Sequence, residues 1–171
     1  MKANFALIRR SALPLLCSAL LLHSAGLLAA QTPAAPVAVP AVVPAMSTLT
    51  VHITGLRNAT GKISALLFQD GKGFPLEFAS AVAMKQVDID AQTMTAKIVF
   101  DKLPQGAYAM VVLHDENMNG QMDFDSQGIP LKGYGISNNP PQRQAPPTTD
   151  EALFQVKQAE VEMEIKIIYW Q

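Results

Sequence analysis

The run His114-Asp115-Glu116-Asn117-Met118-Asn119-Gly120-Gln121-Met122-Asp123-Phe124-Asp125 concentrates oxygen donors in a chain that is only 16% charged. Asp115, Asn117 and Asn119 alternate, Gly120 follows, and Asp123 comes three residues later. This is D-x-N-x-N-G-x-x-D, the first nine positions of a calcium loop of the EF-hand kind. Oxygens at alternate positions converge on one point, Gly120 permits the sharp turn, the Gln121 carbonyl serves at the seventh position, and Asp123 binds directly or through water. The expected metal ligands are therefore Asp115, Asn117, Asn119, Gln121, Asp123 and, as a later carboxylate, Asp125; the expected cofactor is Ca2+. Position twelve is Ser126 instead of a bidentate Glu, and Gly128 and Pro130 oppose a following helix, so a helix-loop-helix is rejected. Without that Glu, calcium affinity would be weak, on the order of 10⁻⁴ to 10⁻³ M. The competing reading is a metal-free turn whose Asn and Asp side chains bond their own backbone.

His114 closes a β-rich run on the face of Tyr108, Met110 and Val112. It either orients a ligand carboxylate, acts as a base beside Asp115, or is a structural histidine bonded at a sheet edge. A metal- or His-assisted hydrolase centred on His114, Asp115 and Asp123 is the enzymatic alternative. Neither a G-x-S-x-G nor an H-E-x-x-H motif accompanies it, and clusters of two or more His that would hold a transition metal are absent from the sequence.

The elements that must carry this loop show period-two alternation. Leu49, Val51 and Ile53 share one face and Thr50, His52 and Thr54 the other, and Gly55 to Gly61 leads into the run Lys62 to Phe68, which reads as a hairpin. Ala81 to Ile89 and Met94 to Phe100 are two further runs. Leu103-Pro104-Gln105-Gly106 then opens Ala107 to His114. In the last run Val161, Met163, Ile165, Ile167 and Tyr169 oppose Glu160, Glu162, Glu164 and Lys166, as in a half-buried antiparallel strand. The one modest helical candidate is Pro75 to Ala81. Phe68, Phe78, Phe100, Tyr108 and Phe154 are read as core residues. Six or seven short strands with regular turns argue for an all-β sandwich. The long stretch from Phe124 to Asp150, with its Gly and Pro, is the expected location of a binding surface together with the acidic loop.

Before Thr48 the composition changes. The first thirty residues hold Lys2, Arg9 and Arg10 but no Asp or Glu, and Ala12 to Leu22 is an apolar core ahead of the small residues Gly26 to Ala30. This reads as a signal peptide, residues 1–30. An uncleaved anchor is the rival, since Ser11 to Ala30 approaches bilayer-spanning length, but His23 interrupts it. Cys17 follows Leu16 where a lipidation signal would need a small residue. Residues 31–47 are a Pro/Ala-rich spacer with Pro33, Pro36, Pro40 and Pro44, which cannot propagate a helix. Residues 48–171 form the domain. Removing the leader leaves a mildly acidic, cysteine-free chain, which excludes disulfide stapling and argues against a nucleic-acid partner.

The ordered motifs Leu103-Pro104-Gln105-Gly106-Ala107-Tyr108, His114-Asp115-Glu116-Asn117-Met118-Asn119-Gly120, Gly128-Ile129-Pro130 and Gly133-Tyr134-Gly135-Ile136-Ser137-Asn138-Asn139 resemble the bacterial family called domain of unknown function 2141, over about Thr48 to Tyr169. The proline-glycine-tyrosine start of the strand is similar to transthyretin-like (prealbumin-like) sandwiches. The resemblance implies an antiparallel seven-stranded Greek-key β-sandwich and carries no activity with it. Met118, where members often have Gly, is a departure that leaves the expected ligands untouched. The expectation is an exported, periplasmic or secreted, non-catalytic module that binds or supports an envelope protein or a small ligand. Stable membrane insertion is not expected once the leader is cleaved.

Overall fold

The computed structural model describes residues 45–143 and 145–170. The expected signal peptide, and all but the last three residues of the expected spacer, lie outside them. Among the described residues there are eight strands and almost no helix: β1 (Met46–Thr54), β2 (Lys62–Gln69), β3 (Ala83–Val87), β4 (Ala96–Pro104), β5 (Gly106–Asp115), β6 (Gly133–Ile136), β7 (Phe154–Val156) and β8 (Glu160–Lys166), with a four-residue α1 (Thr149–Ala152) before β7. They form two sheets. One has the order β4-β1-β8; the other has the order β3-β2-β5-β6, with β7 paired to the start of β5.

Alternation fixes which faces meet. Leu49, Val51 and Ile53 of β1, Ile63, Ala65 and Leu67 of β2, Ile98 and Phe100 of β4, Tyr108, Met110 and Val112 of β5 and Ile165 of β8 form one buried cluster shared by both sheets. Each fully buried Val, Leu, Ile or Phe side chain contributes roughly 1.5–3 kcal/mol, so this cluster dominates the stability of the domain. Edge strand β4 ends at Pro104, where a missing N–H costs no ladder bond. Tyr108 Oη donates to the Pro104 carbonyl at 2.7 Å and clamps the crossing into the other sheet. A second cluster of Ala109, Ile136 and Ala152, flanked by Phe74, Val111, Tyr134 and Leu153, lies apart from the shared core.

Several expectations change. Among the described residues the strands number eight, because the short β6 and β7 carry no alternation long enough to read. The sheets are not wholly antiparallel: β8 runs parallel to β1, with Thr50 beside Glu162 and Ile53 beside Ile165. The Gly55 to Gly61 segment does not close a hairpin, since β1 pairs β4 and β8 whereas β2 pairs β3 and β5. It carries the chain from one sheet to the other. The helical candidate shortens to a 3₁₀ turn at Phe78–Ser80, and Phe78 is 55% exposed, outside the core.

Candidate functional site

The acidic loop begins where β5 ends. β5 is central in its sheet, paired to β2 on one side and to β6 on the other, so His114 and Asp115 reach the sheet end fully buried. On the β2 side Asp115 faces Lys62; on the β6 side His114 faces Gly133. Gly61 supplies the close approach at this corner: a Cβ there would meet the Asp115 carbonyl oxygen at 2.1 Å, and its φ is +77°.

Beyond Asp115 the loop is held by its own side chains. The Gly120 N–H donates to Asp115 Oδ2 at 2.7 Å, and the Gln121 N–H to Asn119 Oδ1 at 2.9 Å. Asp123 accepts from both amides, Asn117 Nδ2 at 2.8 Å and Asn119 Nδ2 at 2.9 Å. The converging oxygens surround a cation supplied by the chain itself. Lys132 Nζ donates to Asp115 Oδ1 at 2.6 Å, Asn119 Oδ1 at 2.6 Å and the Gln121 carbonyl at 2.7 Å, and lies 3.1 Å from Asp123 Oδ2.

Four of the six expected ligands, Asp115, Asn119, Gln121 and Asp123, thus meet at one point. Asn117 does not join them; its side-chain Oδ1 accepts from the Asn119 N–H and its Nδ2 donates to Asp123. Asp125 is also elsewhere, accepting from the Gln127 and Ile129 N–H groups at 2.8 Å each in the next turn. Among the described residues no three His, Cys, Asp or Glu side chains gather as a metal site.

The electrostatics follow the contacts. Burial opposes ionisation of Asp115, but Lys132 and the Gly120 N–H outweigh it and hold the carboxyl below its ordinary range. Asp123 is held down by Asn119 and Lys132. Glu116 is held down chiefly by Arg57, whose guanidinium donates from Nε at 3.0 Å and from Nη2 at 2.5 Å, with Asn58 Nδ2 adding a bond at 2.7 Å. That guanidinium also lies over the Tyr169 ring, 4.5 Å from its centre.

His114 is enclosed. Nε2 donates to the Thr60 carbonyl at 2.8 Å, and Nδ1 lies 2.6 Å from Tyr169 Oη. Both ring nitrogens are occupied and the side chain has no exposed surface. Sequence reasoning missed Lys132 and Arg57. The available signal was that an acidic run at the end of a buried strand needs a counter-charge, and Lys132, next to the glycines of β6, is the nearest basic residue in the sequence.

Away from the loop, a cavity of about 210 Å³ is lined by Tyr134, Asn139, Pro140, Arg143, Lys166 and Ile168 among others. A family model described as an uncharacterized protein conserved in bacteria, domain of unknown function 2141, matches residues 51–164. No curated protein and no solved structure matches the chain.

Proposed function

The chain belongs to the bacterial family designated domain of unknown function 2141, and from that premise we propose that it is an exported, non-catalytic module that binds or supports a protein of the cell envelope. The single observation that carries this reading is the engagement of every group the hydrolase alternative needs. Both nitrogens of His114, both oxygens of Asp115 and both oxygens of Asp123 are hydrogen-bonded within the fold. A general base needs a lone pair open to a substrate proton, whereas His114 has both nitrogens committed, Asp115 is closed off against Lys132, and Asp123 already accepts from Asn117 and Asn119 beside the Lys132 ammonium; this supports a rigid scaffold instead.

A protein partner is favoured over a small ligand. The cavity beside β6 falls below the roughly 300–1,000 Å³ of usual small-molecule sites. The loop presents Met118, Phe124, Ile129 and Leu131 to solvent, four large apolar side chains on a segment pinned from beneath. We read the two-sheet fold as transthyretin-like with Greek-key connections, on the strength of strands that change sheet between β1 and β2, β3 and β4, and β4 and β5. Calcium enters this reading only as a competitor for the oxygens now around Lys132.

The test is expression of the full chain with a photo-crosslinking residue at Phe124 or, as control, at Lys97 on the other sheet. The reading expects an envelope fraction whose first residue is near Gln31 and a discrete adduct from position 124 alone. Cytoplasmic protein retaining Met1, or adducts equal at both positions, would overturn it.

A further inference from the structure

We infer that Lys132 is the resident cation of the acidic loop and makes that loop independent of calcium in this chain. β6 pairs with β5 so that Gly133 lies opposite His114, which sets Lys132 beside Asp115. The ammonium is therefore delivered to the loop by the sheet.

Its partners are those of an ion. Asp115, Asn119, Gln121 and Asp123 stand at positions one, five, seven and nine of the calcium pattern, and each places an oxygen within 3.1 Å of Nζ. An ammonium has three N–H donors, and the three shortest contacts take all of them. The side chains of Lys132 and Asp115 are 4% and 1% exposed, so the pair is closed to water. A calcium ion wants six to eight oxygens at about 2.3–2.6 Å. It cannot share a seat that the ammonium fills, and entry would require Lys132 to give up three charge-assisted hydrogen bonds. The residues present fit a lysine-centred loop and do not fit a bound metal beside it. Asn117 and Asp125, the two expected ligands that stand apart, are committed to other bonds within the loop.

The experiment is thermal melting of the full chain in about 10 mM calcium, above the weak extracellular affinity range, and in chelator. The wild type should melt at the same temperature in both. Lys132→Ala should lower the midpoint in chelator by roughly 10 °C or more, since removing one partner strands a buried carboxylate. Calcium should then recover part of that loss by occupying the vacated oxygens. A wild-type midpoint that rises several degrees with calcium would overturn the inference, as would a variant that melts like wild type in chelator or one that calcium fails to raise. Should the variant not fold, reductive methylation of the wild-type chain decides. Lys132 should react far more slowly than exposed Lys97, with or without calcium, and equal rates would sink the idea.

Discussion

His114 Nδ1 and Tyr169 Oη lie 2.6 Å apart, tying the buried end of β5 to the residues that follow β8. In the neutral imidazole, with Nε2 donating to the Thr60 carbonyl, Nδ1 is the acceptor and the phenol is the donor. The Arg57 N–H completes the arrangement by donating to Tyr169 Oη at 3.2 Å. Three segments, the β1–β2 crossing, the end of β5 and the C-terminal run, are thus joined at one imidazole and one phenol.

Tyr169→Phe should lower stability by about 1–3 kcal/mol, because it leaves Nδ1 of a buried histidine without its donor. Urea unfolding is the measurement: the midpoint should fall while the slope stays constant, since the surface exposed on unfolding is unchanged. An unaltered midpoint would mean that water satisfies the imidazole.

Glycines at this junction should differ in their tolerance. At Gly133 a Cβ would meet Tyr169 Cε1 at 2.2 Å and Ile167 Cγ2 at 2.7 Å, both side-chain atoms. At Gly61 the obstacle is the Asp115 backbone carbonyl, and φ is positive. Gly133→Ala should therefore cost about 1–3 kcal/mol from overpacking. Gly61→Ala adds a left-handed penalty of about 1–2 kcal/mol and should be the worse of the two. Denaturant midpoints of the two variants rank them directly, and the reverse order would refute the packing argument.

Acid should destabilise the domain through identifiable carboxylates. Asp115, Glu116 and Asp123 are all held below their ordinary values, and Glu151 is lowered to about 2 by Arg143 and then Thr148. A carboxylate with a depressed folded pKa adds stability that is complete above its unfolded value, about 3.9 for Asp and 4.3 for Glu. That stability is lost as pH falls through the folded value. The melting midpoint should consequently drop between about pH 4 and pH 2. Glu151→Gln should make that drop shallower. High salt should weaken the exposed Lys62–Asp88 pair yet leave the enclosed Lys132–Asp115 pair in place. A midpoint that holds steady down to pH 2 would contradict the carboxylate contacts.

The strands that carry the core were readable because each has one buried face: Leu49, Val51 and Ile53 alternate with polar residues, and β8 alternates with glutamates. Pairing partners were not. Period two says which residues share a face and nothing about which strand lies alongside, so the parallel β1–β8 pair and the sheet crossing after Thr54 were misread. In the loop, spacing identified four oxygens that converge, because alternation and Gly120 dictate the turn. It could not show what they converge on. Lys132 reaches them only through the β5–β6 register, and β6 is four residues long with two glycines, Gly133 and Gly135, leaving no pattern to read.

Met118 offers a test in which backbone strain and chain entropy oppose each other. It sits at φ 57° with its side chain on the surface, 64% exposed, so little packing is at stake. A non-glycine residue in the left-handed region costs roughly 1–2 kcal/mol. Glycine removes that strain but loses more conformational freedom on folding, about 0.5–1 kcal/mol. Strain is the larger of the two, so Met118→Gly should raise stability by up to about 1 kcal/mol. The Met118 N–H donates to the Asp115 carbonyl at 3.3 Å, a bond that glycine keeps. A higher urea midpoint with an unchanged slope is the expected result. A lower one would mean that the Met118 side chain contributes packing its exposure does not reveal.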